Sequence, residues 1–404
     1  MIQRTCRIVY FKARTCVGHH TCSFFVILRM FLKIRTFCKT MNMNRRHFIT
    51  SSFFFGLASF LPNSLFGKTK EPPSWESIID WARWAPSVHN LQPHRVKVIS
   101  ETEAELLYDS KFLLPVGDPK SEFATAVFGV FVESLSIAAA PYGYKVSLTE
   151  FIEAPSVDQE GIRPFGKITM SERTTKETLS PELLKERRTA RTDYTGEPLK
   201  ASTINNCEEL VSSFGAVLFS TSDEEQLDHL VKINQATLFE DLSHTEMREE
   251  LDSLFRYSKK EAEAEKTGLW TKCMGFPGKL VKSVFRHHEK WTKGARKKML
   301  SSYYGSTYKG TATIMWVQHH WSSSMDQYEF GRLLCRLWLQ LTKESAYMHP
   351  FGSLITNPTA FSALSQKLEL DPNNDAPLAF VCRAGYSKVP PRSFRINTSD
   401  ILMP

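Results

Sequence analysis

The chain has 404 residues, 42% hydrophobic and 23% charged, a composition that supports a sizeable folded core and excludes a wholly disordered or fibrous protein. Its formal net charge of +8 is unevenly placed, because residues 1–70 carry 12 Lys and Arg and no acid, leaving 39 basic against 43 acidic residues downstream. The body is therefore mildly acidic, which excludes the broad basic footprint of a nucleic-acid-binding protein.

Residues 1–40 are basic, acid-free and without clear periodicity, and the apolar run 24–32 is interrupted by Arg29 and too short to span a bilayer. Mitochondrial-type presequences share this composition. We read the segment instead as an over-extended reading frame, with translation starting at Met41 or Met43. Residues 41–67 are laid out as a twin-arginine export signal: Arg45 and Arg46 precede Phe48 and Ile49, an apolar run covers 53–61, and Pro62 and Asn63 make a turn. The run is too short for a transmembrane helix. Leu65 and Gly67 match a small-x-small cleavage site poorly, so the signal is open to being kept as an anchor. The expected location is the periplasm, free or membrane-anchored. Four of the eight cysteines lie in the first 40 residues, and no CxxC pair exists to suggest a zinc site or a redox dithiol.

The body opens with an apolar-periodic helix (Ile78, Ile79, Trp81, Ala82, Ala85) that Pro86 should end. Pro93 holds the exit extended, so the loop between the two prolines displays Ser87, Asn90 and Gln92. Hydroxyls and carboxamides donate and accept without charge, which suits the edge of a flat heterocycle. The competing reading is a turn in which Ser and Asn satisfy their own backbone. Strands are expected at 95–99 and 105–108, a long apolar helix at 121–140 ended by Pro141 and Gly143, and further strands at 145–151 and 165–170.

A helix at 181–188 leads into Arg187-Arg188-Thr189-Ala190-Arg191-Thr192. Guanidinium forks match phosphate oxygens bidentately and threonine adds a neutral donor, whereas a solvated basic helix end is the alternative. Residues 200–265 read as helical. Residues 268–310 mix aromatic and basic residues and read as a cover over a site, a membrane-facing patch or a packed insertion. A strand at 313–317 and a helix at 326–344 follow, then an extended piece turning through His349, Pro350, Phe351 and Gly352. The last expected strand, 378–381, leads into an arm in which Pro390 and Pro391 aim Arg392 and Arg395. The pairs His287/His288 and His319/His320 lack carboxylate or Cys partners at ligand spacing, so no metal is assigned.

Together these segments resemble the nitroreductase family, flavoproteins that bind FMN at a dimer interface. Residues 86–93 are similar to its P-S-x-x-N-x-Q-P segment, which contacts the flavin ring, and residues 187–191 to its R-R-[ST]-x-R segment, which holds the FMN phosphate from the other subunit. Residues 349–352 resemble the turn near flavin N5, and residues 383–395 the closing phosphate arm. In an ordinary member the arginine segment comes first; here it comes about a hundred residues after the loop. That order resembles an exported single-chain branch in which two halves are fused. The resemblance implies an α+β fold of two fused nitroreductase-like halves (71–180 and 181–404), each a mixed sheet flanked by helices, forming a pseudo-dimer. One composite FMN site would be made from Pro86, Ser87, Asn90, Gln92, Arg187, Arg188, Thr189, Arg191, His349, Pro350, Phe351, Gly352 and Arg392. It implies hydride transfer between a small-molecule electron donor and acceptor, or FMN sequestration beneath a lid at 268–310, in a monomer or weak oligomer that binds no nucleic acid. Asn90 and Arg188 are expected at one site.

Overall fold

The computed structural model describes residues 71–404 except 372, so the segments read from sequence as an over-extended start (1–40) and a twin-arginine signal (41–67) lie outside the described residues. Lys70–Pro404 form one compact α+β unit.

Helix α1 (Trp75–Ala82) starts at Ser74, whose hydroxyl accepts from the Ser77 N–H, and buries Trp75, Ile78, Ile79 and Ala82. It stops four residues before Pro86, earlier than expected. Pro86 has no N–H for the Ala82 carbonyl and its ring crowds that oxygen, so the chain tightens instead, Ala85 N–H donating to Ala82 O at 2.8 Å. Strands β1 (His94–Val98) and β2 (Glu103–Asp109) form an antiparallel pair. Helix α2 (Glu122–Ala139) then precedes β3 (Tyr144–Phe151) and β4 (Ile162–Glu172). Helix α2 is long and apolar enough to cross a bilayer, but it is the buried core helix of this unit.

After the short α3 (Glu182–Glu186) come α4 (Ala201–Ser212), β5 (Val217–Thr221), α5 (Glu224–Ser243) and α6 (Thr245–Leu254). The strand β5 interrupts what reads as one helical stretch; its five residues are too few for their alternation to stand out between two helices. Strands β6 (Phe255–Arg256) and β7 (Leu269–Trp270) form a small parallel pair around α7 (Lys259–Glu265). Helices α8 (Gly278–Arg286), α9 (His288–Trp291) and α10 (Gly294–Ser306) follow, then β8 (Ile314–Gln318), α11 (Ser324–Lys343) and β9 (Tyr347–Pro350). The chain closes with α12 (Ser353–Thr356), α13 (Pro358–Lys367), β10 (Leu378–Gly385), α14 (Thr398–Ile401) and β11 (Leu402–Met403).

The larger sheet has the order β11-β1-β2-β4-β3, and the second has β5-β8-β10-β9. Leaving out β11, both place the fourth strand between the second and third and have a long helix, α2 or α11, between their second and third strands, although in the second sheet α5–α10 with β6 and β7 also separate the first two strands and α12 and α13 the last two. The larger sheet is mixed, since β11 joins β1 in parallel, but the second is antiparallel throughout, unlike the mixed sheet expected of both halves. The final residues of the chain thus return to the first sheet, where Ile396 and Ile401 enter its core.

Helices α2 and α11 pack face to face through a pair of glycines. A Cβ on Gly129 would lie 1.9 Å from the Tyr328 carbonyl oxygen, and one on Gly331 would lie 1.8 Å from that of Ala126. Each glycine meets the residue three before the other, so the contact is reciprocal. Beside it, buried Glu133 accepts from Arg332 Nε at 2.9 Å and Arg336 Nε at 2.6 Å, and Arg336 continues to Glu177 at 2.8 Å.

Candidate functional site

Between the proline residues 86 and 93 the backbone takes a conformation few side chains tolerate. His89, Asn90 and Gln92 all have positive φ (46°, 61° and 56°), a left-handed geometry costing about 1–2 kcal/mol per non-glycine residue, less for Asn. The turn is held by its own polar groups. Ser87 Oγ accepts from Gln92 N–H at 3.0 Å. Asn90 Nδ2 donates to the carbonyls of Lys266, Gly268 and Phe394, each at 3.3 Å. Gly268 returns its N–H to Asn90 O at 3.2 Å, and its φ of +85° leaves no room for a Cβ, which would lie 2.4 Å from Leu254 O. Gln92 is fully buried: Nε2 donates to Asn90 O and Lys266 O at 3.0 Å, and Oε1 accepts from Ile396 N–H at 3.0 Å. The two carboxamides therefore tie the loop to residues 266–268 and 394–396, through both nitrogens and through Gln92 Oε1. What remains for a ligand is Asn90 Oδ1, which is buried and has no hydrogen-bond partner.

The arginine loop is placed by strand β9. Thr189 bridges to Met348, Ala190 N–H donates to Met348 O at 3.1 Å, and Arg383, fully buried on β10, donates Nη2 to the carbonyls of Ala190 and Thr192. The Arg383 guanidinium lies between the rings of Tyr194 (4.5 Å) and Tyr308 (4.8 Å), cation–π contacts in place of a carboxylate. Its Nε donates to His349 Nδ1 at 3.2 Å. A guanidinium cannot accept, so the neutral imidazole of His349 carries its proton on Nε2. Burial, together with the charges of Arg383 and Arg191, holds His349 well below the usual histidine range, so that tautomer is a neutral donor.

These pieces surround one cavity of ≈ 660 Å³. Its walls include Pro86, Ser87, His89 and Asn90 from the first loop, Arg187, Thr189 and Arg191 from the second, the turn His349, Pro350, Phe351 and Gly352, and Ser393 and Arg395 from the arm. The residues 268–310 supply Trp270, Cys273, Phe276, Phe285, Leu300, Tyr304 and Tyr308, and helices α5 and α6 add Leu238, Leu242, Met247 and Leu251. A smaller space of ≈ 40 Å³ adjoins it, lined by Trp84, Arg188, Pro391 and Arg392 together with Arg187, Thr189, Arg191, Cys273, Ser393 and Arg395, which face both. Asn90 and Arg188 accordingly lie at adjoining spaces with shared walls. Of the thirteen residues assigned from sequence, ten line the larger cavity, Arg188 and Arg392 line the smaller one, and Gln92 lines neither.

The electrostatics of this corner are one-sided. Among the described residues, Arg187, Arg188, Arg191, Arg392 and Arg395 have no carboxylate in ion-pairing range. Arg187, Arg188 and Arg395 leave Nε buried without a partner, and Arg392 leaves Nε and Nη2. Arg392 lies 3.4 Å from the centroid of the Trp84 ring, and Arg187 lies 4.6 Å from that of Trp338. Burial, and then the repulsion of neighbouring arginines, pushes Arg392 and Arg395 down to about 10 and Arg187 well below its usual value. An anion relieves both costs at once.

Sequence reasoning missed the contribution of α5 and α6, which line the cavity with Leu238, Leu242, Met247 and Leu251 and also with Asn234, Thr237, Glu240, Asp241, Glu246 and Glu250, residue types ordinary on any amphipathic helix. It also missed Trp84 as the ring beneath Arg392, which a Trp directly before a proline loop did not signal.

No family model matches the chain, and no curated protein matches it. Solved structures similar to it include the FMN-dependent nitroreductase NfnB from Mycobacterium smegmatis in complex with NADPH, 13% identical over 52% of this chain and 93% of that one, with a TM-score of 0.32. Iodotyrosine deiodinase bound to FMN and 3-iodo-L-tyrosine is 13% identical over 54% and 94%, with a TM-score of 0.31. A nitroreductase with bound FMN from Desulfitobacterium hafniense is 10% identical over 52% and 91%, with a TM-score of 0.31.

Proposed function

We propose that the chain binds FMN in the joined cavities and works as a nitroreductase-like oxidoreductase, with its two repeated halves acting as a fused pseudo-dimer. The observation that carries this reading is the convergence of five arginines on one corner of the joined cavities, whose other walls carry apolar and aromatic side chains together with Asp118, Glu240, Asp241, Glu246 and Glu250, none of them ion-paired to these arginines. FMN, when bound, supplies two-electron hydride chemistry, so the chain itself needs no acid or base. The orphaned guanidinium N–H groups fit a phosphate dianion, with Arg187, Arg191 and Arg395 as charge-assisted donors and Arg188 and Arg392 completing the smaller space. Asn90 Oδ1 offers an acceptor and His349 Nε2 a donor to a ring edge. Leu238, Leu242 and Phe285 provide walls that exclude water. Reciprocal packing of α2 on α11 and the repeated strand order support the fused halves, and a site assembled within one chain supports a monomer.

Purified protein should be yellow, and Arg191→Glu should lower FMN affinity at least about 100-fold, since two charge-assisted hydrogen bonds contribute roughly 3 kcal/mol or more. Colourless wild-type protein that takes up no FMN on titration would defeat the proposal. A second reading, sequestration of FMN without turnover, is favoured by the aromatic segment 268–310 across the cavity. Anaerobic mixing with NADPH or NADH separates the two: bleaching of the flavin supports the reductase, and an unchanged spectrum supports sequestration. We further propose twin-arginine export to the periplasm; Arg45→Lys with Arg46→Lys should hold the precursor in the cytoplasm.

A further inference from the structure

Apart from the arginine corner of the cavity, the body of the protein is acidic on balance and carries one long basic stretch. Residues 268–310 contain ten Lys and Arg and a single acid, Glu289, whereas the rest of 71–404 holds 29 basic and 42 acidic residues. Nine of those ten side chains are exposed, and four of them, Lys293, Arg296, Lys297 and Lys298, cluster at the start of α10.

Helix α10 is unusual in how little it buries. Of its thirteen residues only Leu300 is buried, with Tyr304 half-buried, and both line the cavity. Its outer side is not simply polar. Ala295, Met299 and Tyr303 recur at a spacing of four, which puts them on one stripe. Met299 is 54% exposed and Tyr303 is 37% exposed. At 100° per residue Arg296 and Lys298 fall on either side of that stripe, and Lys297 falls behind it. An exposed apolar stripe between flanking cations has the layout of a helix that lies in a lipid headgroup layer, with the basic stems extending to the phosphates. A solvated charged helix has no use for the methionine, and a nucleic-acid site would be set against a body of net negative charge.

We propose that α10 docks the protein on an anionic lipid surface, with Ala295 and Met299 inserted and Lys293, Arg296 and Lys298 on the headgroups, while Tyr303 stays bonded to Gly275 O and packed on Phe276, and Lys297 lies behind over the Phe239 ring. Leu300 and Tyr304 on the same helix wall the cavity, so docking sets that wall toward the bilayer.

The test uses the full chain and sedimentation with vesicles of phosphatidylcholine alone or containing about a third phosphatidylglycerol. Residues 1–70 are shared by all variants, so differences between variants report α10. Lys293→Glu, Arg296→Glu and Lys298→Glu combined should weaken binding to anionic vesicles at least about 100-fold and leave binding to neutral vesicles unchanged. Met299→Ser should weaken anionic binding about fivefold while leaving its salt dependence as in wild type. All four positions are exposed, so circular dichroism of the variants should match wild type. Equal affinity of wild type and the triple variant for anionic vesicles overturns the proposal. So does wild-type retention on duplex DNA, lost in the triple variant, that exceeds binding to anionic vesicles at the same salt.

Discussion

Gln92 shows how a residue chosen for one role serves another. Its carboxamide satisfies Asn90 O, Lys266 O and the Ile396 N–H, three backbone groups from three segments. Replacement by Leu leaves the Ile396 N–H unpaired, while Asn90 O keeps the Gly268 N–H and Lys266 O keeps Asn90 Nδ2, so a loss of about 2–3 kcal/mol is expected in urea unfolding. FMN affinity should follow the loop's stability, not show a separate loss from a missing contact. Titration at this scale follows from three buried imidazoles. Burial pushes His89 down to about 4 and, reinforced by nearby arginines, holds His94 and His349 well below the ordinary 6.5. A lowered folded value means that the unfolded chain takes up protons first, so this stability is complete above about pH 6.5 and is lost as the pH falls toward 4. Asp118 acts in the opposite sense. Burial pushes it up to about 6, outweighing its bonds from the Ala124 and Phe123 N–H groups, so its cost is relieved on acidification below that value. With three imidazoles against Asp118 and Asp241, the latter also raised by burial, the urea midpoint should be lower near pH 5 than near pH 7, and His89→Gln should narrow the gap.

At the scale of elements, the decisive contact is between α2 and α11. Composition alone makes α2 a continuous apolar helix, and nothing in its periodicity marks Gly129 as different from its neighbours. The carbonyls of Tyr328 and Ala126 lie where the missing Cβ atoms would be. Because the obstruction is backbone, no rotamer change relieves it. Gly331→Ala should therefore cost about 3 kcal/mol or more, although Ala is the better helix former by about 1 kcal/mol. A stabilised Gly331→Ala protein in thermal unfolding would show that the two helices separate more readily than their packing indicates. The strand β5 carries the complementary lesson, since tertiary pairing with β8 made a strand of residues whose local pattern was submerged between two helices.

The whole molecule is tied together at its C-terminus. Residues after the arm leave the second sheet, pass Gln92 at Ile396, and add β11 to β1 beside the buried Ile401. Deleting residues 398–404 should destabilise the first sheet, 300 residues away in sequence, by about 3 kcal/mol from the lost burial of Ile401 and the exposed edge. The expected readout is earlier hydrogen exchange in β1 and β2. Exchange unchanged in β1 would mean that the added strand contributes little.

Residue patterns local to the chain were legible without the structure. Prolines at 86 and 93 bounded a loop, arginines at 187, 188 and 191 made an anion-binding segment, and apolar runs marked α2 and α11, because steric limits, charge and helical period act within a few residues. The thirteen site residues were assigned through the family resemblance of those segments, and ten of them line the larger cavity. Which carboxamide atoms stay free could not be read that way, since Asn90 and Gln92 are occupied by carbonyls and an N–H from residues 266–268 and 394–396, more than 170 positions away. The same holds for the absence of carboxylates around the arginines and for the tautomer of His349. Hydrogen-bond satisfaction and charge balance depend on what the fold brings within a few ångströms, and only the tertiary structure decided that.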